Sequence, residues 1–237
     1  MTIIFSLPTA NNIRMKNYLR ISFKYLTAVS AFFGVILGLL TARADGYSHP
    51  LLRLLYFTAQ SNVWIGVIML VLAINLSVSK QTSGAGMRSL YFLRYVFTVS
   101  ITLTALVFCL LLAPFSDASY RPWTLTNLFT HVITPALSLL DFFLDRPRFI
   151  LPKNGAWACL LPPCLYLLYT TVLCLFRIDF GRGVPYPYFF MNVFSPVGIF
   201  GVSSQPPFIL GSAYWYLLFA MVVYLIGRLY RRFSARF

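Results

Sequence analysis

The chain has 237 residues, 59% of them hydrophobic and only 10% charged, with a mean hydropathy of +0.77 and a formal net charge of +14. This composition lies far outside the range of a soluble globular domain and predicts an all-α, polytopic membrane bundle. The basic excess does not point to nucleic acid, because the cations bracket apolar runs and form no recognised binding motif.

Residues 1–22 read as a cytoplasmic N-terminal segment. The apolar run at 3–7 is too short for a signal peptide, and the basic residues follow it instead of preceding it. Six apolar runs of roughly 20 residues, enough to cross ~30 Å of hydrocarbon, then follow within a transmembrane domain spanning 23–230. They cover 23–41, 52–76, 91–114, 125–144, 156–176 and 208–229, and a basic tail closes the chain at 231–237. The first span serves as an uncleaved insertion signal, and its Gly34 and Gly38, four residues apart, permit close helix packing.

Lys and Arg set the orientation. Fourteen of the nineteen lie before or at the start of the first span, at the end of or after the last, or in and beside the loops joining spans two to three and four to five. Five (Arg43, Arg53, Arg121, Arg177 and Arg182) lie on the other side. Both termini are therefore expected in the cytoplasm. The sequon at Asn75 to Ser77 then falls at the inner end of span two and is discounted.

Span two carries Thr58, Gln60, Ser61 and Asn62 inside an otherwise apolar stretch. Lipid offers such groups no water, so each needs a protein partner, a cavity or a ligand. In span four, Asn127, His131, Thr134, Ser138, Asp141 and Asp145 recur at steps of three and four, which places them on one face directed into the bundle. Counted from the expected span starts, Thr58 and His131 share a depth of ~9 Å below the outer edge. A Thr hydroxyl needs a base to act as a nucleophile, and a neutral His is the commonest one. From spacing alone, helix packing through hydrogen bonds is the leading reading, with catalysis and then transport or ion relay beside it.

Pro135 lacks an N–H, so the His131 carbonyl is expected to lose its i+4 donor and the helix to kink there. Arg94 in span three and Asp141 in span four lie at matched inner depths and read as a structural ion pair. Cys109, Cys159, Cys164 and Cys174 show neither metal-ligand nor disulfide spacing and read as small buried hydrophobes; no metal or cofactor is expected. The outer loop at 177–207, rich in Gly, Pro and aromatic residues, reads either as an interfacial aromatic belt or as a lid over a cavity.

The motifs Y-F-T-x-Q-S-N in span two, H-x-x-x-P-x-x-x-x-x-D in span four and P-Y-P-Y-F-F in the outer loop together resemble the six-pass androgen-induced membrane protein family and its bacterial branch. The resemblance runs from about residue 52 to 192. It implies hydrolysis of fatty acid esters of hydroxy fatty acids by an intramembrane Thr and a His, roles that fall on Thr58 and His131. The expected partners are a membrane lipid or acyl-ester substrate and the bilayer, with a cell-membrane location in the bacterial inner membrane. Asn62, one turn below Thr58, is the candidate oxyanion donor, with Ser61, Gln60 and Asn127 as further substrate-binding candidates. The rival expectation is a non-enzymatic carrier or scaffold.

Overall fold

An apolar run in lipid must satisfy its own backbone, and each of the six spans does so as a helix. The computed structural model describes residues 10–78, 84–115, 121–145, 151–181 and 183–235. Helix α1 covers Ala10–Thr41, α2 Phe57–Val78, α3 Ala85–Leu112, α4 Leu125–Leu144, α5 Gly155–Leu175 and α6 Ser212–Ala235. All six contain a stretch long and apolar enough to cross a membrane, so the protein is a multi-pass membrane bundle. Among the described residues no β-strand forms; Val202 and Leu210 make one isolated bridge. Lys80, Arg146, Arg148, Arg182 and Arg236, used above for orientation, lie outside the described residues.

Two span boundaries differ from expectation. The first helix starts thirteen residues before 23, so the segment from Ala10 continues α1. Span two starts at Phe57, because Pro50–Leu55, though apolar, winds as a separate 3-10 helix with His49 Nδ1 accepting from Leu51 N at its start.

Helix α3 is the wall between two cores. Tyr95, Val99 and Leu103 pack with Phe142, Tyr166, Phe190, Trp215 and Phe219, while Tyr91 and Ile101 pack with Ala28, Ala31, Ile65 and Met69. Outward-facing Val29, Leu40, Leu168 and Leu217 are at least 65% exposed, the surface a bilayer would cover. Small residues set the seams: a Cβ on Gly34 would stand 2.8 Å from Thr130 Cγ2 of α4, and one on Gly66 of α2 would stand 3.1 Å from the Phe32 ring. Hydroxyl pairs clasp the helices, Ser30 with Thr134 at 2.8 Å and Thr98 with Ser138 at 3.2 Å.

His131, Thr134, Ser138, Asp141 and Asp145 of α4 are all buried, with Asn127 partly so. Cys159 and Cys174 are buried, but Cys109 and Cys164 face outward, which corrects their reading as buried side chains. A thiol is apolar enough to sit on a lipid-facing surface.

Candidate functional site

One end of the bundle holds charge. Arg94 Nε lies 3.3 Å from Asp141 Oδ2, bringing together the two residues paired by depth in the sequence. The pair is part of a larger cluster: Lys24 of α1 meets Asp141 at 2.8 Å and also Asp145, Arg94 Nη1 meets Asp145 at 3.1 Å, and Arg20 reaches Asp145 as well. Tyr91 donates to Asp145 Oδ2 at 3.0 Å. Arg94 Nη2 also donates to the backbone carbonyls of Asp141, Phe142 and Asp145, capping the acceptor-rich end of α4. A lone buried charge is costly; here each carboxylate has at least two cations. Asp145 already stands on the inward face read for span four, but Lys24 counted only among the cations flanking the first span, so its pairing with the two carboxylates was not foreseen.

The opposite end holds a cavity of about 860 Å³, within the range of small-molecule sites. Its walls come from α1 at Gly34 and Gly38, the 3-10 helix at Arg53, the start of α2 at Thr58, α4 from Thr126 to His131, and the loop at Tyr186 to Phe189. A small apolar slot of about 40 Å³ adjoins it, bounded by Phe57, Leu103, Tyr166, Phe190 and Phe219. Thr58, His131, Leu112 and Tyr188 border both spaces. Thr58 is the second residue of α2 and His131 the seventh of α4, so the equal-depth count from a start at 52 does not hold. The two residues nonetheless face the same space.

The two wide π turns among the described residues meet here. Phe108–Leu112 ends α3 and Phe129–Ile133 interrupts α4, and Phe108 stacks flat on His131 with ring centroids 4.1 Å apart and planes 12° apart. Such turns recur at functional sites. The π turn adds to the expectation about Pro135: Thr134 N bonds Phe129 O, five residues back, and in that register the missing Pro135 N–H would also have served the Thr130 carbonyl. Asn62 Nδ2 supplies the bond, 3.0 Å from Thr130 O, and lies 2.8 Å from Thr58 O. Asn62 is fully buried, does not line the cavity and spends its amide donor on backbone, so it is not placed as an oxyanion donor.

Ser61 and Gln60 likewise stay off the cavity wall. Ser61 Oγ pairs with Thr104 Oγ1 at 2.8 Å, joining α2 to α3. Gln60 Nε2 donates to Leu54 O and to Tyr169 Oη, fastening the 3-10 helix to α5. Asn127 does line the cavity, with its Nδ2 donating to Pro122 O. The outer loop covers the cavity: Tyr188 Oη lies 3.3 Å from Thr58 Oγ1 and accepts from Thr58 N at 3.4 Å, and burial pushes the Tyr188 hydroxyl up to about 12, keeping it neutral.

Thr58 makes no hydrogen bond to His131. Among the described residues the imidazole Nδ1 is buried without a hydrogen-bond partner. An unprotonated Nδ1 would carry the free lone pair that a base requires. Tyr188, Thr104 and Phe108 had no assigned role in the sequence reading, although Tyr188 stands in a quoted motif. No protein-family model, curated protein or solved structure matches this chain.

Proposed function

We propose that the chain is an integral membrane hydrolase of lipid esters, with Thr58 as nucleophile and His131 as base. We place it in the bacterial branch of the six-pass androgen-induced membrane protein family, acting on esters of the fatty acid–hydroxy fatty acid type. The observation that carries the reading is that Thr58 and His131, from different helices, both stand on the border between a basin of mixed polar and apolar lining and a wholly apolar slot. An ester carbonyl is the group of a lipid that belongs at such a border.

In this reading the Thr58 hydroxyl turns from Tyr188 to His131 Nδ1, which takes its proton as Oγ adds to the carbonyl carbon. The protonated imidazole then gives that proton to the departing alkoxide. Water, deprotonated by the same nitrogen, displaces the acid and restores Thr58. Tyr188, whose hydroxyl is already 3.3 Å from Thr58 Oγ1, replaces Asn62 as the donor to the developing oxyanion. A fluorophosphonate probe should label the purified protein, and peptide mapping should find the adduct on Thr58.

The second reading is a non-enzymatic carrier of lipid-like solutes, favoured by the pairing of Thr58 with Tyr188 instead of His131. A cavity that binds lipid but never reacts with the probe decides for it. In either case we place both termini in the cytoplasm and the cavity at the outer face of the bacterial inner membrane.

A further inference from the structure

The cavity holds a guanidinium whose bonding is unfinished. Arg53, on the 3-10 helix, pairs through Nη2 with Asp45, and its plane lies over the Tyr47 ring at 4.8 Å. Its Nε is buried and has no acceptor among the described residues. A Cβ at residue 38 would stand 3.4 Å from Arg53 Nη1, so Gly38 makes the room in which the guanidinium rests against α1. Asp45 is itself held by the Thr41 hydroxyl at 3.0 Å.

Arg121 lines the same cavity, so the described walls carry two guanidiniums against the single carboxylate of Asp45. A planar guanidinium with a free N–H edge matches the paired oxygens of a carboxylate or phosphate. Thr58 and His131 border the same space on the side of the apolar slot.

We propose that Arg53, with Arg121, seats an anionic group, a carboxylate or a phosphate monoester, on the lipid that occupies this cavity, and that Asp45 competes with that group for the Arg53 fork. That the lipid is also an ester substrate rests on the hydrolase reading; the seat itself does not. Its consequence is selectivity for amphiphiles with a charged end over their neutral counterparts.

Binding of non-hydrolysable ethers to the full chain in phosphatidylcholine nanodiscs tests the seat without any need for turnover. The probes are a long-chain alkoxy fatty acid, its methyl ester and an alkyl phosphate of equal length. The parent protein should bind the acid or the phosphate at least tenfold more tightly than the methyl ester, and the preferred anion identifies the headgroup. Arg53→Gln should bring the ratio close to one, and Asp45→Asn should widen it severalfold. Because each ratio is taken within one variant, a general loss of folded protein does not imitate the result, and the Asp45→Asn change has the opposite sign from damage. Equal affinities in the parent, or a ratio unchanged in Arg53→Gln, overturns the proposal. Anion-selective binding without turnover leaves the seat and removes the hydrolase reading, whereas turnover of acid and methyl esters alike does the reverse.

Discussion

Asn62 Nδ2 lies 3.0 Å from the carbonyl of Thr130, on another helix, while also bonding Thr58 O at 2.8 Å. One amide thus ties the peptide of Thr58 to the residue preceding His131. In the register of the π turn, Pro135 has no N–H to offer Thr130 O, and the Asn62 amide occupies that carbonyl. Asn62→Leu should therefore lose about 1–3 kcal/mol of stability by leaving the Thr130 carbonyl unpaired, measured by unfolding in detergent. On the hydrolase reading it should also lower kcat with KM little changed, because it displaces Thr58 without touching the substrate. A variant as stable as the parent contradicts this account of the amide.

The charge cluster makes a second prediction. Asp141→Ala or Arg94→Ala alone should cost ~3–5 kcal/mol, since each leaves buried charge short of a partner. The double variant should lose less than the two together, by ~0.5–3 kcal/mol. Full relief is not expected, because Lys24 and Asp145 also lose a partner. Additive losses in a detergent unfolding series would reject the coupling.

Asp145, just past the end of α4, gives the cluster a pH signature. Burial acts to raise its pKa, but Lys24, Arg94 and Arg20 outweigh it and hold the carboxyl down to about 2, against 3.8 when free. A group with a lowered folded pKa contributes stability above its unfolded pKa and loses it as pH falls through the folded one. The contribution is about 2 kcal/mol at neutral pH, lost between about pH 4 and 2. Thermal melting should fall across that window in the parent, and Asp145→Asn should start lower and fall less. A parent and a variant with parallel pH profiles would contradict the assignment.

Orientation can be read by cysteine accessibility. Single cysteines near Lys80 and Lys153 should react only from the cytoplasmic side, and those near Asp45 and Gly183 only from outside. An outward Lys80 loop would reverse the bundle and move the cavity to the inner face.

How much of this was legible in the sequence follows from which forces act locally. Six spans could be read because lipid demands continuous apolar runs, and Arg94 met Asp141 because a buried charge at a given depth needs a partner at that depth. The start of α2 could not be read: Pro50–Leu55 is as apolar as a span, and only its capping and geometry separate it from the helix. Lys24 was hidden by position, since cations near span ends ordinarily serve the interface, whereas Asp145 was legible on the inward face of α4 without its partners. Tyr188 and Arg53 reach the cavity from a loop and a short turn, whose placement depends on packing against α1 and α2 and leaves no periodic trace. Asn62 carried the right polarity at the right depth, but its partner was set by a π turn that sequence spacing does not reveal.

The most direct test of the central claim is the rate of lipid-ester hydrolysis by Thr58→Ala in nanodiscs, set beside His131→Ala and the double variant. A nucleophile and its base act as one unit, so each single variant should lose nearly all turnover and probe labelling, and the double should be hardly slower than either. Thr58→Ser should retain part of the rate, because it keeps the hydroxyl and loses only the methyl group that restricts its rotamers. Hydrolysis by folded Thr58→Ala at the parental rate would contradict the assignment and leave the cavity to a carrier.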